Sequence, residues 1–426
     1  MWYWDGTALN QDIDAYLEIA RHLARGEGFS RGDPPEATAY RPPLYPLMVA
    51  GLFSIGGGPW LLGALQVVLG TLTTALTLRC GQLLDLGWGR FIAAGFVAFD
   101  PLLIRYTTLP MTETLCAMLV VLWCWAVLEF PWTRNSSLEI QSDSQPQALI
   151  HGFLHGACFG LICLCRPAFL GALGLAAICC IAMPKLRWRC SACTTSRPIQ
   201  PAPSAWSAVA SLAGLAIVLS PWVVRNAVVI GKPTPATTHG GYTVLLANNP
   251  TFYREVLRGT PGAVWEEKSL LAWQQALEQD LKQDGISPSN EVARDAWMYR
   301  RARANILAEP ISFLQACSYR SGCFWALAPS RAANGLGTFE SWCITLFYGL
   351  VSVGLVLGVL SMTGTEWDRW RPLLLLPVTL WLTHLVYWTD TRMRTPVVPV
   401  LALLAARGFV APRSHPFQSR FRRALK

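Results

Sequence analysis

Charge is what this sequence has least of. Only 14% of its 426 residues are Asp, Glu, Lys or Arg, against about 25% in an ordinary soluble domain. That shortage excludes a disordered chain, which needs high charge and low hydrophobicity. The signatures of soluble enzymes are missing too. Gly56-Gly57-Gly58 runs into Pro59 with no Lys-Ser/Thr behind it, so it is no phosphate loop. There is no HExxH, the six His are scattered, and the GxSxG spacing at Gly28–Gly32 runs into Pro34-Pro35 instead of a helix, so it is no nucleophile elbow. Heptads and solenoid repeats are absent, and the single biased tract is the Ser/Gln-rich loop 135–147. Most of the 13 Cys sit inside apolar runs, where a thiol acts as a small hydrophobe. Cys190-x-x-Cys193 lacks the second pair that a zinc site of about four ligands requires. Cys317 and Cys323 form a candidate pair only if their loop faces an oxidising space.

Apolar residues are abundant: 52% of the chain, with 19 Trp and a mean hydropathy of +0.33. The composition is that of an all-α polytopic membrane protein. Apolar runs occur at 60–78, 91–109, 111–130, 148–165, 168–184, 206–221, 339–362, 372–388 and 396–410. Trp60, Trp88, Trp222, Trp367 and Trp388 lie near their ends, as interfacial aromatics do. A further run, 44–56, is too short to span comfortably and suits a re-entrant or juxtamembrane helix.

The net charge of +9 resides in two acid-free stretches. One is 185–205, with Lys185, Arg187, Arg189 and Arg197. The other is 411–426, with Arg413, Arg420, Arg422, Arg423 and Lys426. Each follows an apolar run, the placement expected of cytoplasmic ends and not of a nucleic-acid surface. Fixing both in the cytoplasm, with about nine spans and 44–56 not crossing, brings several segments to one outer face. These are residues 1–43, Glu113, Arg166, Arg225, the segment 226–338 and the cluster Asp390–Arg394. The expected organisation is a first outer loop with juxtamembrane helices (1–59), N-terminal membrane helices (60–225), an extracytoplasmic helical loop domain (226–338), C-terminal membrane helices (339–410) and a basic tail (411–426).

The outer segments carry their own helical patterns. Asp12 is placed to cap a helix over 13–25, with Ile13, Leu17, Ala20 and Ala24 on one face and Gly26 as its stop. Leu270, Trp273, Leu277 and Leu281 make a helical stripe, and another helix fits 290–308. Asp12, Asp14 and Glu113 are the candidate general bases, since a partly desolvated carboxylate beside the membrane can deprotonate a hydroxyl. Arg166, Arg225, Arg392 and Arg394 stand at outer boundaries, against the positive-inside bias. A guanidinium there suits a lipid-borne phosphate, which it meets as a bidentate fork.

Seven motifs appear in order: DIDAYLEIARHLARGEGFS, YRPPLYPL, MTETL, LCRPAFL, SPWVVRN, GGYTVLLANNP and RMRTPVVPVLALLAARG. Together they resemble bacterial family 39 glycosyltransferases, the GT-C enzymes related to protein O-mannosyltransferases and the lipid A aminoarabinose transferase. The resemblance covers about residues 10–410. It implies a GT-C-like helical bundle in the bacterial inner membrane that moves a sugar from a polyprenyl-phosphate donor, with inversion and without a metal or other cofactor. The acceptor on the extracytoplasmic face would be a glycan, lipid or protein. The resemblance puts the catalytic base on Asp12, with Asp14 as the fallback, and the second acidic motif on Glu113. It puts the donor phosphate on Arg225, with Arg166, Arg392 and Arg394 as further candidates, and places Tyr45 and His239 at the cavity. Family members carry a membrane helix ahead of the first acidic loop, so an upstream start or an inactive relative is implied as an alternative. A transporter or flippase is the other alternative; it calls for inverted repeats with paired broken helices, and the sequence displays none.

Overall fold

A computed structural model describes residues 8–130, 144–178, 205–259, 265–329 and 337–410. Cys190, Cys193, nearly all of the basic stretch 185–205, the basic tail and most of the Ser/Gln-rich loop lie outside the described residues. The described chain is nearly all helix, apart from one short antiparallel pairing of Ser30–Arg31 with Glu36–Ala37.

Among the described residues, five helices are long and apolar enough to cross a bilayer: Pro59–Leu83, Pro146–Cys165, Trp206–Ile230, Thr338–Leu360 and Thr391–Val410. Their outward faces carry bare apolar side chains, with Leu346 77% and Leu360 78% exposed. Water would penalise such faces, whereas lipid tails accept them. Leu44–Ser54 has 11 residues, about 16 Å at helical rise, and stays too short to span.

The run 91–109 is not one helix. It breaks into Gly89–Ala98 and Pro101–Thr107. Asp100 causes the break, because its carboxylate accepts from the Leu102 and Leu103 amides and caps the second piece. Pro101 supplies the matching first residue, where a missing N–H costs nothing. The Tyr348 hydroxyl donates to both Asp100 oxygens at 2.9 Å, which satisfies a buried carboxylate in an apolar bundle.

Glycine seams set the helix spacing. Along 144–165, Gly152 and Gly156 press on the backbone carbonyls of Ser207 and Ser211, and Gly160 lies against Val218. A Cβ at any of the three would collide, so the two helices meet backbone to backbone, as small residues four apart allow in membranes. Gly354, Gly358 and Gly408 do the same between Thr338–Leu360 and Val398–Val410. The latter helix is buried along nearly its whole length. It forms the centre of the bundle and continues directly from the 3-10 segment Thr391–Val397.

Outside the bundle, residues 226–338 hold the helices Gly240–Ala247, Glu267–Gln283, Glu291–Ala308 and Pro310–Trp325. Leu277 and Leu281 of the expected stripe are buried against Val244, Leu245, Trp297 and Met298. Cys317 and Cys323 are both free thiols; six residues apart on one helix, they cannot reach each other. Two of the boundary Trp turn inward. Trp222 packs edge-on against Phe29 at 4.9 Å, and Trp388 lies against Phe252 at 6.0 Å.

Candidate active site

The first acidic segment is arranged differently from its sequence expectation. The helix runs Tyr16–Ala24 and starts after Ala15, which takes a left-handed conformation at φ 59°. Ile13 therefore falls outside it and is exposed. Asp12 is committed to this helix start: its two oxygens accept from the Leu17 and Glu18 amides at 3.0 and 2.6 Å. Such a cap satisfies two orphan donors and engages both carboxylate oxygens. The left-handed turn points Asp14 the other way, into the protein.

Asp14 is one end of a chain of charges. Arg41 donates from Nη2 to Asp14 Oδ1 at 2.7 Å and from Nε to the Asp14 carbonyl at 2.7 Å. Arg392 approaches Asp14 Oδ2 at 3.5 Å and Glu113 Oε1 at 3.6 Å. Arg166 donates to Glu113 Oε1 at 2.8 Å and to the Thr112 hydroxyl at 3.2 Å. Two carboxylates thus alternate with three guanidinium groups, and Asp390 sets a third carboxylate beside Arg392. Glu113 is fully buried, and its Oε2 has no hydrogen-bond partner. Guanidinium groups gathered on one wall, each able to turn part of its fork from a carboxylate to a phosphate, are suited to an anionic ligand.

Local chemistry fixes each member. Pro42 and Pro43 force Arg41 into an extended approach. Glu113 opens the helix Glu113–Glu129, where an acid favours the positive end of the dipole. Arg166 ends the helix Ser144–Cys165 immediately before Pro167. Arg392 is held by Asp390, whose side chain accepts from the Arg392 amide at 2.8 Å.

These five side chains line a cavity of about 730 Å³. Its remaining wall is mixed aliphatic and aromatic, with Leu170, Leu246, Val386, Trp388 and Met393 among its members. His239 also lines it, stacked on Tyr242 at 5.0 Å and tilted over Tyr40 at 4.4 Å. Burial, with Arg41 and Arg31 nearby, pushes the His239 imidazole down to about 3. It is therefore neutral at physiological pH and acts as a ring, not a charge.

Several expected site residues stand elsewhere. Asp12 does not line the cavity. Arg225 donates to the Thr38 and Phe29 carbonyls at 2.6 and 2.8 Å and to Asn226 at 3.0 Å. It fastens the first outer segment to the bundle instead of facing a ligand. Arg394 is buried, donates to the Phe324 and Ala326 carbonyls, and lies 4.3 Å from the Tyr348 ring centre. Tyr45 is buried behind Tyr16, with ring centres 5.3 Å apart. Arg41 is the member that sequence reasoning passed over. Its signal was present in YRPPLYPL, where a cation precedes two prolines.

Comparison of the chain with known proteins finds no matching family, curated protein or solved structure. Among the described residues, no three His, Cys, Asp or Glu side chains gather as metal ligands would. The site has to be read from its own chemistry.

Proposed function

We propose that the protein is an inverting glycosyltransferase of a bacterial inner membrane, drawing its sugar from a polyprenyl-phosphate donor. Under this reading the five long helices and the shorter apolar ones make up a GT-C-like bundle of about nine spans. The ion cluster then lies on the extracytoplasmic side. The observation that carries the proposal is the convergence of Asp14, Arg41, Glu113, Arg166 and Arg392, from five distant segments, on the wall of one amphipathic cavity. The seven ordered motifs support the same reaction.

The donor's prenyl chain would lie along the aliphatic wall, and its phosphate would meet Arg41, Arg166 and Arg392. The acceptor hydroxyl gives its proton to the Asp14 carboxylate while its oxygen bonds to the anomeric carbon from the opposite side. The anomeric C–O bond to phosphate breaks, and its electron pair leaves on the phosphate oxygen. Guanidinium groups already oriented by Asp14 and Glu113 stabilise that developing charge. A phosphate draws Arg392 and Arg41 away from Asp14, so donor binding itself frees the base.

The test uses the full chain in lipid nanodiscs with radiolabelled sugar on polyprenyl phosphate. Release of polyprenyl phosphate with label on acceptor or water is expected, and it survives EDTA. Intact donor moved across the bilayer without cleavage would mean a flippase. Neither cleavage nor movement would mean an inactive protein.

A further inference from the structure

A second cavity, of about 740 Å³, adjoins the first. The two share Asp14, Tyr40, Arg41, His239 and Tyr242, and Asp14 is the only carboxylate common to both walls. Beyond this neck the second wall comes from the strand segment around Glu36 and from the helices Glu267–Gln283 and Glu291–Ala308. Its chemistry is unlike that of the first cavity. Carboxylates of Glu36, Glu278, Glu291 and Asp295 are spaced among Arg31, Arg294 and the Gln274 amide. Aliphatic side chains are few. Thr238 is also in this wall; it is 7% exposed, and its hydroxyl has no hydrogen-bond partner.

The wall is braced from behind. Glu291 accepts from the Thr38 hydroxyl at 2.7 Å and the Ala39 amide at 2.6 Å. Asp295 accepts from the Gly241 amide at 2.7 Å and from Lys232 at 3.2 Å. Arg294 pairs with Glu278. Glu291 and Asp295 are therefore fixed in place from behind, and Arg294 and Glu278 hold each other across the wall, so the polar groups are preformed.

We infer that this second chamber holds the acceptor, and that the acceptor is the end of a neutral glycan. The inference rests on the glycosyltransferase reading above. A general base must lie within reach of the proton it takes. Asp14 is reachable from both chambers, and the donor fills the apolar one. Each sugar hydroxyl both donates and accepts, so it matches a wall that alternates carboxylates with guanidinium and amide groups. With Asp14 and Arg41 included, five carboxylates face three guanidinium groups. That balance repels phosphate-bearing lipid headgroups, and the scarcity of aliphatic wall gives acyl chains little to bury against.

Saturation-transfer NMR on the full chain in nanodiscs tests this with four probes: maltotriose, cellotriose, mannotriose and a Thr-containing pentapeptide. A fifth sample carries phosphatidylglycerol in the disc. At least one trisaccharide should bind. Its affinity should fall at least tenfold in Thr238→Trp, which fills the chamber, and about fivefold or more in the exposed double variant Glu36→Ala/Glu278→Ala. Binding of polyprenyl phosphate should stay within twofold of wild type in the double variant. The inference is overturned if no trisaccharide binds while polyprenyl phosphate does, or if the double variant binds trisaccharide normally. It is also overturned if the peptide binds and no sugar does, or if phosphatidylglycerol displaces the bound sugar. Failure of polyprenyl phosphate to bind the wild-type protein refutes the donor reading instead, whatever the sugars do.

Discussion

Asp12 and Asp14 are two residues apart but have different partners, and isosteric substitution can separate a helix cap from the proposed base. Asp12→Asn keeps one accepting oxygen but turns an N–H₂ toward a backbone donor, so one of its two capping bonds is lost. Losing one such bond costs about 0.5–1.5 kcal/mol, and turnover should stay within about twofold of wild type. Asp14→Asn removes the proposed base and the anion that Arg41 and Arg392 share. Both Asp14 and Arg41 keep some solvent, with side chains 19% and 16% exposed. The stability loss should therefore be about 1–3 kcal/mol, below the 3–5 kcal/mol typical when a fully buried pair is broken. The rate should fall much further, by roughly 10²–10⁴, the usual consequence of removing a general base. Thermal melting and sugar release from the polyprenyl donor, measured on the same nanodisc preparations, give both quantities. An Asp14→Asn protein that turns over at the wild-type rate refutes the assignment. So does a folded Asp12→Asn protein that is inactive.

Three other outcomes follow from the geometry. Arg41→Lys keeps the charge but loses the Nε contact to the Asp14 carbonyl and the planar fork; donor KM should rise roughly tenfold, and an unchanged KM would remove Arg41 from the phosphate site. His239 holds its proton near an ordinary ~6.5 when unfolded but only at about 3 when folded. The unfolded chain thus binds more protons between those values, stability falls as pH drops from 7 toward 4, and His239→Phe should flatten that part of the melting-temperature profile. Gly156→Ala places a methyl against the Ser211 carbonyl, a backbone atom that cannot swing aside; destabilisation of at least about 1–3 kcal/mol is expected, and a melting temperature equal to wild type would show that the two helices separate freely.

Apolar length was the legible part of the fold, because a bilayer imposes it directly on sequence. The runs at 60–78, 206–221 and 339–362 coincide with long helices. The break in 91–109 was hidden by a hydropathy window that averages over Asp100, although an Asp before Pro is a helix-start signal in its own right. At the site, residue type was legible and partnership was not. Four boundary arginines look alike in sequence. Arg166 and Arg392 meet carboxylates, while Arg225 and Arg394 meet backbone carbonyls. Which of these occurs depends on where orphan carbonyls are left after the helices pack, and no spacing rule records that. The exchange of Asp12 for Asp14 has the same origin. One left-handed residue, Ala15, decides which carboxylate turns outward to cap and which turns inward.

The ion cluster also has a history within each molecule as it is made. Asp14 and Arg41 are 27 residues apart, and Glu113 and Arg166 are 53 apart. Each pair is electrically neutral and can close soon after the ribosome has delivered it. Arg392 emerges long after both pairs and, among the described residues, is the group that approaches a carboxylate of each. Until then the nascent protein holds two self-contained half-sites with no surplus positive charge, and neither has reason to capture a phospholipid from the surrounding bilayer. The two halves are joined in one later step, when the segment Thr391–Val397 brings Arg392 and Asp390 to them together.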